Sequence, residues 1–362
     1  MTTTSERLSE APAREASKRV SQSVFDGSRL RVVLLVDVYE GAQQQFLEAY
    51  EQLCNQVASV PGHVSDQLCQ SIENPSQWLI TSEWESAPPF LTWVNSEEHV
   101  RMVEPLHSCV RNTRSLRFHI VRETGRAYET DTAARGRLQT EVRIGDGVIR
   151  HALTFTVKPG TEAKVAKLLA DYAAPEPRVD DSTRLLRTSL FMHGNRVVRA
   201  IEVRGDLLAA LRHVSRSPEV RAVEEAINPY LEQDRDLNDQ ESARLFFTRA
   251  ALPAVHHVMA DGRPEGTRQA LYYPARPGCG MKLAELLATA DSAATDDPAS
   301  QVLRSTVFER EDVVVRLVDL AGAGAYADPL PSDPAQAAEL RTLLAGDAAP
   351  MELVTDRRSP AV

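Results

Sequence analysis

Residues 185–203 read LLRTSLFMHGNRVVRAIEV, and residues 302–320 read VLRSTVFEREDVVVRLVDL, so the chain carries one stretch twice. The two copies align without a gap, with Arg187 on Arg304 and Arg199 on Arg316. In each copy, two apolar runs flank a short polar segment, a pattern typical of a β-hairpin. A repeat of this length predicts an internal duplication, and the duplication decides the fold.

A weaker third copy lies near the start of the chain. Gly41, Gly160 and Gly278 each end an apolar run, and they fall at nearly equal intervals. The segment HVRMVE at 99–104 also matches EVRAVE at 219–224, if the interval between the two copies is lengthened by one residue. We therefore divide the chain into a disordered tail, three units and a polar linker. The tail is 1–28, unit one is 29–123, the linker is 124–147, unit two is 148–260 and unit three is 266–358.

The same order of hydrophobic patterns recurs in each unit. In unit one, strand patterns alternate with helical spacing. The segments are a strand at 30–40 that Gly41 ends, a helix at 42–60, strands at 63–71 and 77–85, a helix at 88–110 and a strand at 116–122. Unit two repeats this order, with its last strand predicted at 244–249. The order βαββαβ is that of a ferredoxin-like unit, so we predict an α+β fold of three such units in tandem.

A four-stranded sheet with helices on one face leaves its other face bare. In units of this kind a second sheet commonly covers that face, as in dimeric α+β barrels. Three units cannot all pair within one chain, so we expect the odd unit to pair with its copy in a homodimer.

Composition narrows the class of protein. Of the residues, 43% are hydrophobic and 25% are charged, as in ordinary globular proteins. The net charge of −10 argues against nucleic acid or an anionic membrane as partner. No apolar run is long enough to span a membrane, and the four cysteines show no metal-site spacing. We expect a cytoplasmic protein with reduced thiols.

The well-known nucleotide-binding and catalytic motifs are absent from the sequence. It contains no glycine-rich nucleotide loop, no HExxH and no GxSxG. The sequence therefore predicts no cofactor and no metal.

Unit one contains all three tryptophans, and they are candidate substrate-binding residues: Trp78 and Trp84 on one strand and Trp93 on the following helix. Trp78 and Trp84 share a face of their strand, so two indoles facing helices can form a box for a flat aromatic ligand. Tryptophans in such positions are more often core residues. His99 and His107 lie on the same predicted helix, and either could be a general base. His99 is the candidate catalytic residue, although a single helical histidine is more often a polar surface residue.

Units two and three offer arginines at matching positions. A guanidinium on an apolar strand face is costly unless it is paired or faces a polar ligand. Arg199 is therefore a candidate catalytic residue, and the matching arginines are candidate ligands of substrate oxygens: Arg187, Arg304 and Arg316. The alternative is an ion pair between packed sheets. Among the histidines of unit two, His193 is a candidate catalytic residue and His213 a candidate substrate-binding residue.

Two stretches resemble known families. PGHVSDQL at 61–68 and SEWES at 82–86 resemble the antibiotic biosynthesis monooxygenase domain. From HALTFTVKPG at 151–160 to TVFEREDVVVRL at 306–317, the chain resembles the SchA/CurD-like domain of aromatic polyketide and spore pigment pathways. In the first family, Trp84 matches a pocket tryptophan, and two further polar pocket positions fall on Leu68 and Ile80. The corresponding positions of units two and three hold the arginines named above.

The resemblance implies a quinone-forming monooxygenase that oxidises a polycyclic aromatic polyketide with O₂ and without a cofactor. The substrate would reduce oxygen itself, so the protein need only deprotonate it, hold the ring and stabilise the anion. The implied partners are an aromatic polyketide, O₂ and a second copy of the chain. A polyketide cyclase of the same fold and a non-catalytic pathway scaffold are the alternatives.

Overall fold

The computed structural model describes residues 20–121, 145–260, 266–322 and 327–359. The first of these ranges contains a four-stranded antiparallel sheet with the order β3-β4-β2-β5. The elements of this range are β1 (Val20–Ser23), β2 (Leu30–Val38), α1 (Gln43–Val57), β3 (His63–Gln70), β4 (Gln77–Trp84), α2 (Ala87–Val94), α3 (Glu97–Val103), a 3₁₀ helix (Glu104–Ser108) and β5 (Val110–His119). Helix α1 packs on the sheet through Phe46, which is fully buried beside Trp78.

The remaining ranges form one closed barrel. Its first half comprises β6 (Val148–Thr156), α4 (Glu162–Ala170), β7 (Arg184–His193), β8 (Arg196–Arg204), α5 (Leu207–Arg216), α6 (Pro218–Ile227), a 3₁₀ helix (Asn228–Tyr230), α7 (Gln240–Ala250) and β9 (Ala251–Met259). Its second half comprises β10 (Thr267–Pro274), α8 (Gly280–Asp296), β11 (Val302–Arg310), β12 (Val313–Leu320), α9 (Pro334–Leu343) and β13 (Ala349–Arg358).

The strands of the barrel follow the order β9-β11-β12-β10-β13-β7-β8-β6, and β6 pairs with β9 to close it. The two copies of the repeat are the hairpins β7–β8 and β11–β12. The last strand of each half pairs with a hairpin strand of the other half, β13 with β7 and β9 with β11. The barrel has eight strands and confirms the predicted α+β class.

Apolar side chains fill the middle of the barrel. Phe191, Phe308, Leu317 and Met351 lie in one buried cluster that draws on both halves. Alternate residues of the same strands point outwards, where they pack against the helices. This alternation, with a period of two, follows from the pleat of the strands.

Charged side chains lie toward one end of the barrel, on the inward faces of the strands. We call this set the barrel-end network: Arg187, Arg268, Arg304, Glu202, Asp319 and Asp356. Asp319 is at its centre and is only 2% exposed. It accepts hydrogen bonds from Arg268 Nε (2.8 Å), Arg187 Nη1 (3.1 Å) and Arg304 Nε. Burial disfavours ionisation of Asp319, but the three arginines outweigh it and lower its pKa to about 2.

The structure corrects the prediction of a disordered tail over 1–28. Residues 20–23 form strand β1, which pairs antiparallel with the second half of β9, from Ser23–His256 to Val20–Met259. Strand β6 pairs only with the first half of β9, at 251–253. Strand β1 therefore uses hydrogen-bonding groups of β9 that β6 leaves open. Residues 1–19 and most of the predicted linker lie outside the described residues.

Two further predicted elements differ from the structure. Residues 244–249, predicted as the last strand of unit two, belong to α7, whose first turn is capped by the side chain of Asp239. The strand follows as β9 and contains Pro253, a residue that weakens a strand signal. The helix predicted over 88–110 is divided, because Ser96 caps a new helix, α3, at the backbone N–H of His99.

Glu309 makes the stability of the barrel depend on pH, which the sequence did not suggest. Its side chain lies on β11 and is 3% exposed, and Oε2 has no hydrogen-bond partner among the described residues. Burial, with the nearby carboxylates of Asp312 and Glu311, raises its pKa to about 8. Because the folded form holds this proton more tightly than the unfolded form, stability falls as the pH rises from about 4.5 to about 8.

We expect Glu309→Gln to be more stable than the wild type at pH 8 by a few kcal/mol, since one pKa unit corresponds to about 1.4 kcal/mol. The difference should vanish near pH 5. Urea denaturation at several pH values measures it, with the exposed Glu352→Gln as control. A difference that does not depend on pH would contradict the assignment.

Candidate active site

Aromatic rings cluster where β4 meets α2 and α3. Trp84, at the end of β4, is fully buried and stacks on Trp93 at 5.3 Å with an interplanar angle of 28°. Phe90 meets the Trp84 ring edge-on at 5.3 Å, and His63 does so at 5.2 Å. His99 contacts the other end of the cluster, with its ring 4.3 Å from that of Trp93. We call these five residues the aromatic cluster.

Several buried polar atoms at this cluster have no hydrogen-bond partner among the described residues. Three of them lie on the segment formed by α2 and α3: Trp93 Nε1, Asn95 Nδ2 and His99 Nδ1. A fourth, His63 Nε2, lies 2.9 Å from Asp66 Oδ2. By contrast, Trp84 Nε1 donates to Ser82 Oγ at 3.0 Å. Buried polar groups are nearly always satisfied in native proteins, so these three atoms make the segment a candidate for binding a polar ligand.

Positive charges lie near His99. The guanidinium of Arg117 lies 5.2 Å from the centre of the Phe90 ring, and no described carboxylate pairs with it. Arg310 reaches across from the barrel and donates through Nη2 to the carbonyl oxygen of Asn95 at 3.0 Å. Burial, and then the charges of Arg117 and Arg310, lower the pKa of His99 to about 4. The imidazole is therefore neutral at pH 7 and can accept a proton, and the cations favour an anion beside it.

Trp78 lies apart from the aromatic cluster, although it shares a strand with Trp84. Its ring packs against Phe46 at 5.3 Å within a different buried cluster, together with Ile80 and Val36. The structure therefore brings together Trp84, Trp93 and His99 but not Trp78.

Two of the candidate arginines face the helices and are paired there. Arg199 donates to Glu224 Oε1 of α6 at 3.1 Å. Arg316 donates to Asp291 Oδ1 of α8 through Nε (2.9 Å) and Nη2 (2.6 Å). Each carboxylate raises the pKa of its arginine against the opposing effect of burial. Each of these two ion pairs therefore joins a strand of the barrel to a helix.

The other two candidate arginines point into the barrel. Arg187 binds Asp356 Oδ1 through Nε at 2.7 Å and also contacts Asp319, while Arg304 binds Asp319. Both belong to the barrel-end network. The structure therefore places Arg187 and Arg199 on opposite faces of one sheet, and it does not bring the four arginines together at one site.

The candidate histidines of unit two are also separated. His193 is exposed at the end of β7, with Nδ1 3.3 Å from the carbonyl oxygen of Pro350. His213 on α5 contacts the carbonyl oxygen of Glu176 through Nε2 at 2.9 Å.

Sequence reasoning missed four residues of unit one at this site, His63, Phe90, Asn95 and Arg117, and also Arg310 of the barrel. Phe90 could have been found, because it lies three positions before Trp93 and hence on the same side of a helix. Arg117 comes from β5, which pairs with β2 opposite Val32, and only the sheet register reveals its position.

Within the described ranges, no three His, Cys, Asp or Glu side chains are close enough to hold a metal ion. Among the described helices, none combines the length and apolar character that a membrane crossing requires.

The described ranges form an α+β protein, and two family models match parts of the chain. The model of the family described as "Antibiotic biosynthesis monooxygenase" matches residues 29–105, which include the aromatic cluster. The model described as "SchA/CurD like domain" matches residues 148–260.

Relatives cover most of the chain. "Polyketide synthase CurD" of Streptomyces cyaneus is 66% identical over 84% of this chain and 82% of its own length. "Protein SchA" of Streptomyces halstedii is 63% identical over 84% and 81%, and the "42.8 kDa protein in whiE locus" of Streptomyces coelicolor is 62% identical over 89% and 80%. The chain belongs to the SchA/CurD family.

Two solved structures match a part of the chain. SnoaB, described as a cofactor-independent oxygenase from Streptomyces nogalater, matches 29% of this chain and 99% of its own, with 15% identity and a TM-score of 0.24. A conserved protein from Methanosarcina mazei matches 26% of this chain and 94% of its own, with 19% identity and a TM-score of 0.25.

Proposed function

We propose that the chain is a cofactor-independent monooxygenase of type II polyketide biosynthesis, which oxidises a polycyclic phenol or anthrone to a quinone with O₂. The name of the CurD relative supports a role in polyketide biosynthesis. The match of residues 29–105 to the monooxygenase family supports oxygen chemistry in unit one. The aromatic cluster is then the substrate site.

The observation that carries this proposal is the set of unsatisfied polar atoms beside the indoles. A flat phenol bound against Trp93 would offer oxygens to His99 Nδ1, Trp93 Nε1 and Asn95 Nδ2, which otherwise lack partners among the described residues. An aromatic wall with a few polar atoms is the usual composition of a pocket for a ring-shaped ligand. The uncharged base and the cations Arg117 and Arg310 suit a ligand that becomes an anion.

In the proposed reaction, neutral His99 accepts a proton from the substrate and leaves a phenolate or enolate. Arg117 and Arg310 stabilise this anion, which passes an electron to O₂. Recombination forms a carbon–oxygen bond, and the resulting peroxide takes the proton back from His99. Loss of the remaining hydrogen of that carbon as a proton, together with cleavage of the O–O bond, leaves a carbonyl on the ring carbon and releases water. One methylene group and one O₂ give one carbonyl and one water, so no external reductant is needed.

Trp84 is fully buried, so the aromatic cluster must open to admit a ring. The segment formed by α2 and α3 carries both Trp93 and His99, and it changes direction at Asn95 and Ser96 between the two helices. A movement there would separate Trp93 from Trp84 without breaking the sheet. Loops that open and close in this way commonly gate substrate entry.

Oxygen uptake tests the function. Purified protein is given 1,8-dihydroxyanthrone in the presence of a chelator, without flavin or nicotinamide. The proposal expects one O₂ consumed per quinone, with one oxygen atom from ¹⁸O₂ in the product. Conversion under argon would indicate the cyclase, and binding without conversion would indicate the scaffold. Either outcome, or a requirement for flavin, NADPH or metal, would contradict the proposal.

We also propose that the three units are tandem ferredoxin-like repeats and that unit one pairs with its copy in a homodimer. In the barrel, β13 pairs with β7 and β9 with β11. The corresponding edges of unit one are β5 and β3, which have no outer neighbour among the described strands. The sheet face between them bears Leu35 (43% exposed) and Phe118 (51% exposed). A cavity of about 480 Å³, lined in part by Leu79 and Arg114, opens on the same face.

We expect Leu35→Glu to weaken the homodimer at least about tenfold, because it would bury a charge between two sheets. Sedimentation equilibrium measures the change. The control is Leu47→Glu, which adds the same charge on the exposed side of α1. A wild type that stays monomeric, or a Leu35→Glu variant as dimeric as the wild type, would contradict this arrangement.

A further inference from the structure

The helix-covered face of unit two has a polar gap between two apolar clusters. Val197 belongs to one cluster and Ile201 to the other, and Arg199 lies between them on β8. The ring of Tyr172 fills part of the gap, with the guanidinium carbon of Arg199 at 5.8 Å from its centre and that of Arg357 at 4.5 Å. Strand β13, from the other half of the barrel, brings Arg357 to this place.

The charges in this gap do not balance. Glu224 is shared by Arg199 at 3.1 Å and Arg235 at 2.7 Å. Arg357 pairs with no carboxylate of the described residues, and its Nη2 donates to the carbonyl oxygen of Ala170 at 2.8 Å. Its Nη1 is buried and has no acceptor within the described part of the chain. An uncompensated, buried guanidinium donor is costly and indicates a missing anion.

A cavity of about 90 Å³ adjoins this guanidinium. Its walls include Tyr172, Pro175, Pro177, Arg187, Thr188 and Arg357. Two further arginines line the cavity, Arg187 and Arg358. Arg187 is paired in the barrel-end network and Arg358 lies 3.7 Å from Asp356, so Arg357 supplies the cation that has no carboxylate partner among the described residues. The hydroxyls of Thr188 and Tyr172 add donors, and the two prolines give a rigid apolar wall.

We propose that this cavity is a second ligand site, which binds the carboxylate of a small organic acid through Arg357. The planar guanidinium matches a carboxylate, and the volume suits a carboxylate with its first few carbon atoms. The site is separate from the aromatic cluster of unit one and does not depend on oxidation there. Since Arg357 comes from unit three and Tyr172 from unit two, only the assembled barrel forms it.

Titration calorimetry with benzoate tests the site on the full chain. The wild type should bind benzoate saturably, and Arg357→Met should weaken binding about tenfold or more, the usual effect of losing a hydrogen bond to a charged group. Arg178→Met, which removes an exposed arginine outside the cavity, should bind like the wild type. Unchanged binding by Arg357→Met, or no saturable binding by the wild type, would overturn the proposal.

Thr188→Val provides a second variant that keeps the shape of the side chain and the charge of the site. It should weaken benzoate binding severalfold and keep the wild-type melting temperature. Inorganic phosphate serves as the competing anion. Tighter binding of benzoate than of phosphate supports a carboxylate site, whereas equal or weaker binding would overturn the choice of ligand.

Discussion

His99→Phe is expected to lower kcat/KM for anthrone oxidation by about 10²–10⁴-fold, the usual contribution of a general base. Phenylalanine keeps the ring contact with Trp93 but removes Nδ1, the unsatisfied atom proposed to accept the substrate proton. The loss should therefore appear mainly in kcat rather than in KM. Oxygen uptake with 1,8-dihydroxyanthrone measures both parameters.

A matched histidine is available as the control. His107 lies in the 3₁₀ helix after α3, is exposed and contacts Arg244. His107→Phe should leave turnover unchanged. Arg199→Met should also keep its activity, because Arg199 is paired with Glu224 in unit two. If Arg199→Met abolished turnover while His99→Phe did not, the active site would belong to unit two.

The pH profile gives an independent readout for His99. With its pKa lowered to about 4, the imidazole is already neutral at pH 5. The fraction of protein molecules with a neutral His99 should therefore not change above pH 5. The rate should be level from about pH 5 until the substrate itself ionises. An inflection near 6.5 that disappears in His99→Phe would contradict the assigned environment of His99.

Asp319→Ala is expected to have the largest effect on stability, with a loss of about 3–5 kcal/mol, as when one partner of a buried ion pair is removed. The carboxylate is the shared partner of Arg187, Arg268 and Arg304, and the variant leaves their charges uncompensated inside the barrel. Urea denaturation measures the loss. Asp181→Ala, at an exposed ion pair with Arg178, should leave the midpoint unchanged.

The lowered pKa of Asp319 also predicts how the stability of the barrel responds to acid. Its pKa is about 2 in the folded state against an ordinary value of 3.8, so its stabilising effect is complete above about pH 4. The effect is lost as the pH falls toward 2, because the unfolded state takes up the proton first. Asp319→Ala should lack this part of the acid sensitivity. Equal acid midpoints for the variant and the wild type would contradict the role of the network.

The hairpins of the barrel could be predicted because their signal is local. Alternating apolar residues on either side of a polar turn define β7–β8 and β11–β12 without any knowledge of the remainder. Strand β1 could not be predicted in the same way. The sequence of Val20–Ser23 is polar, and it forms a strand because β9 offers it an open edge. Tertiary context decided this element, as it often does for short strands.

The ion-pair partners of the arginines show the same limit of prediction from the sequence. The period of two correctly separates Arg199 from Glu202, since the two lie on opposite faces of β8. It does not reveal that Glu224, on a helix two elements later, neutralises Arg199. In unit one, the sequence suggested an indole box and His99, and the structure supplies the neighbours that only folding brings close, Arg117 from β5 and Arg310 from the barrel.

The crystal structure of the full chain with the quinone product tests the central claim most directly. The proposed site predicts the quinone against Trp93 in unit one, with one oxygen within hydrogen-bonding distance of His99 Nδ1 and the segment formed by α2 and α3 displaced from Trp84. A quinone bound beside Arg199 in unit two, with the aromatic cluster of unit one still closed, would contradict it.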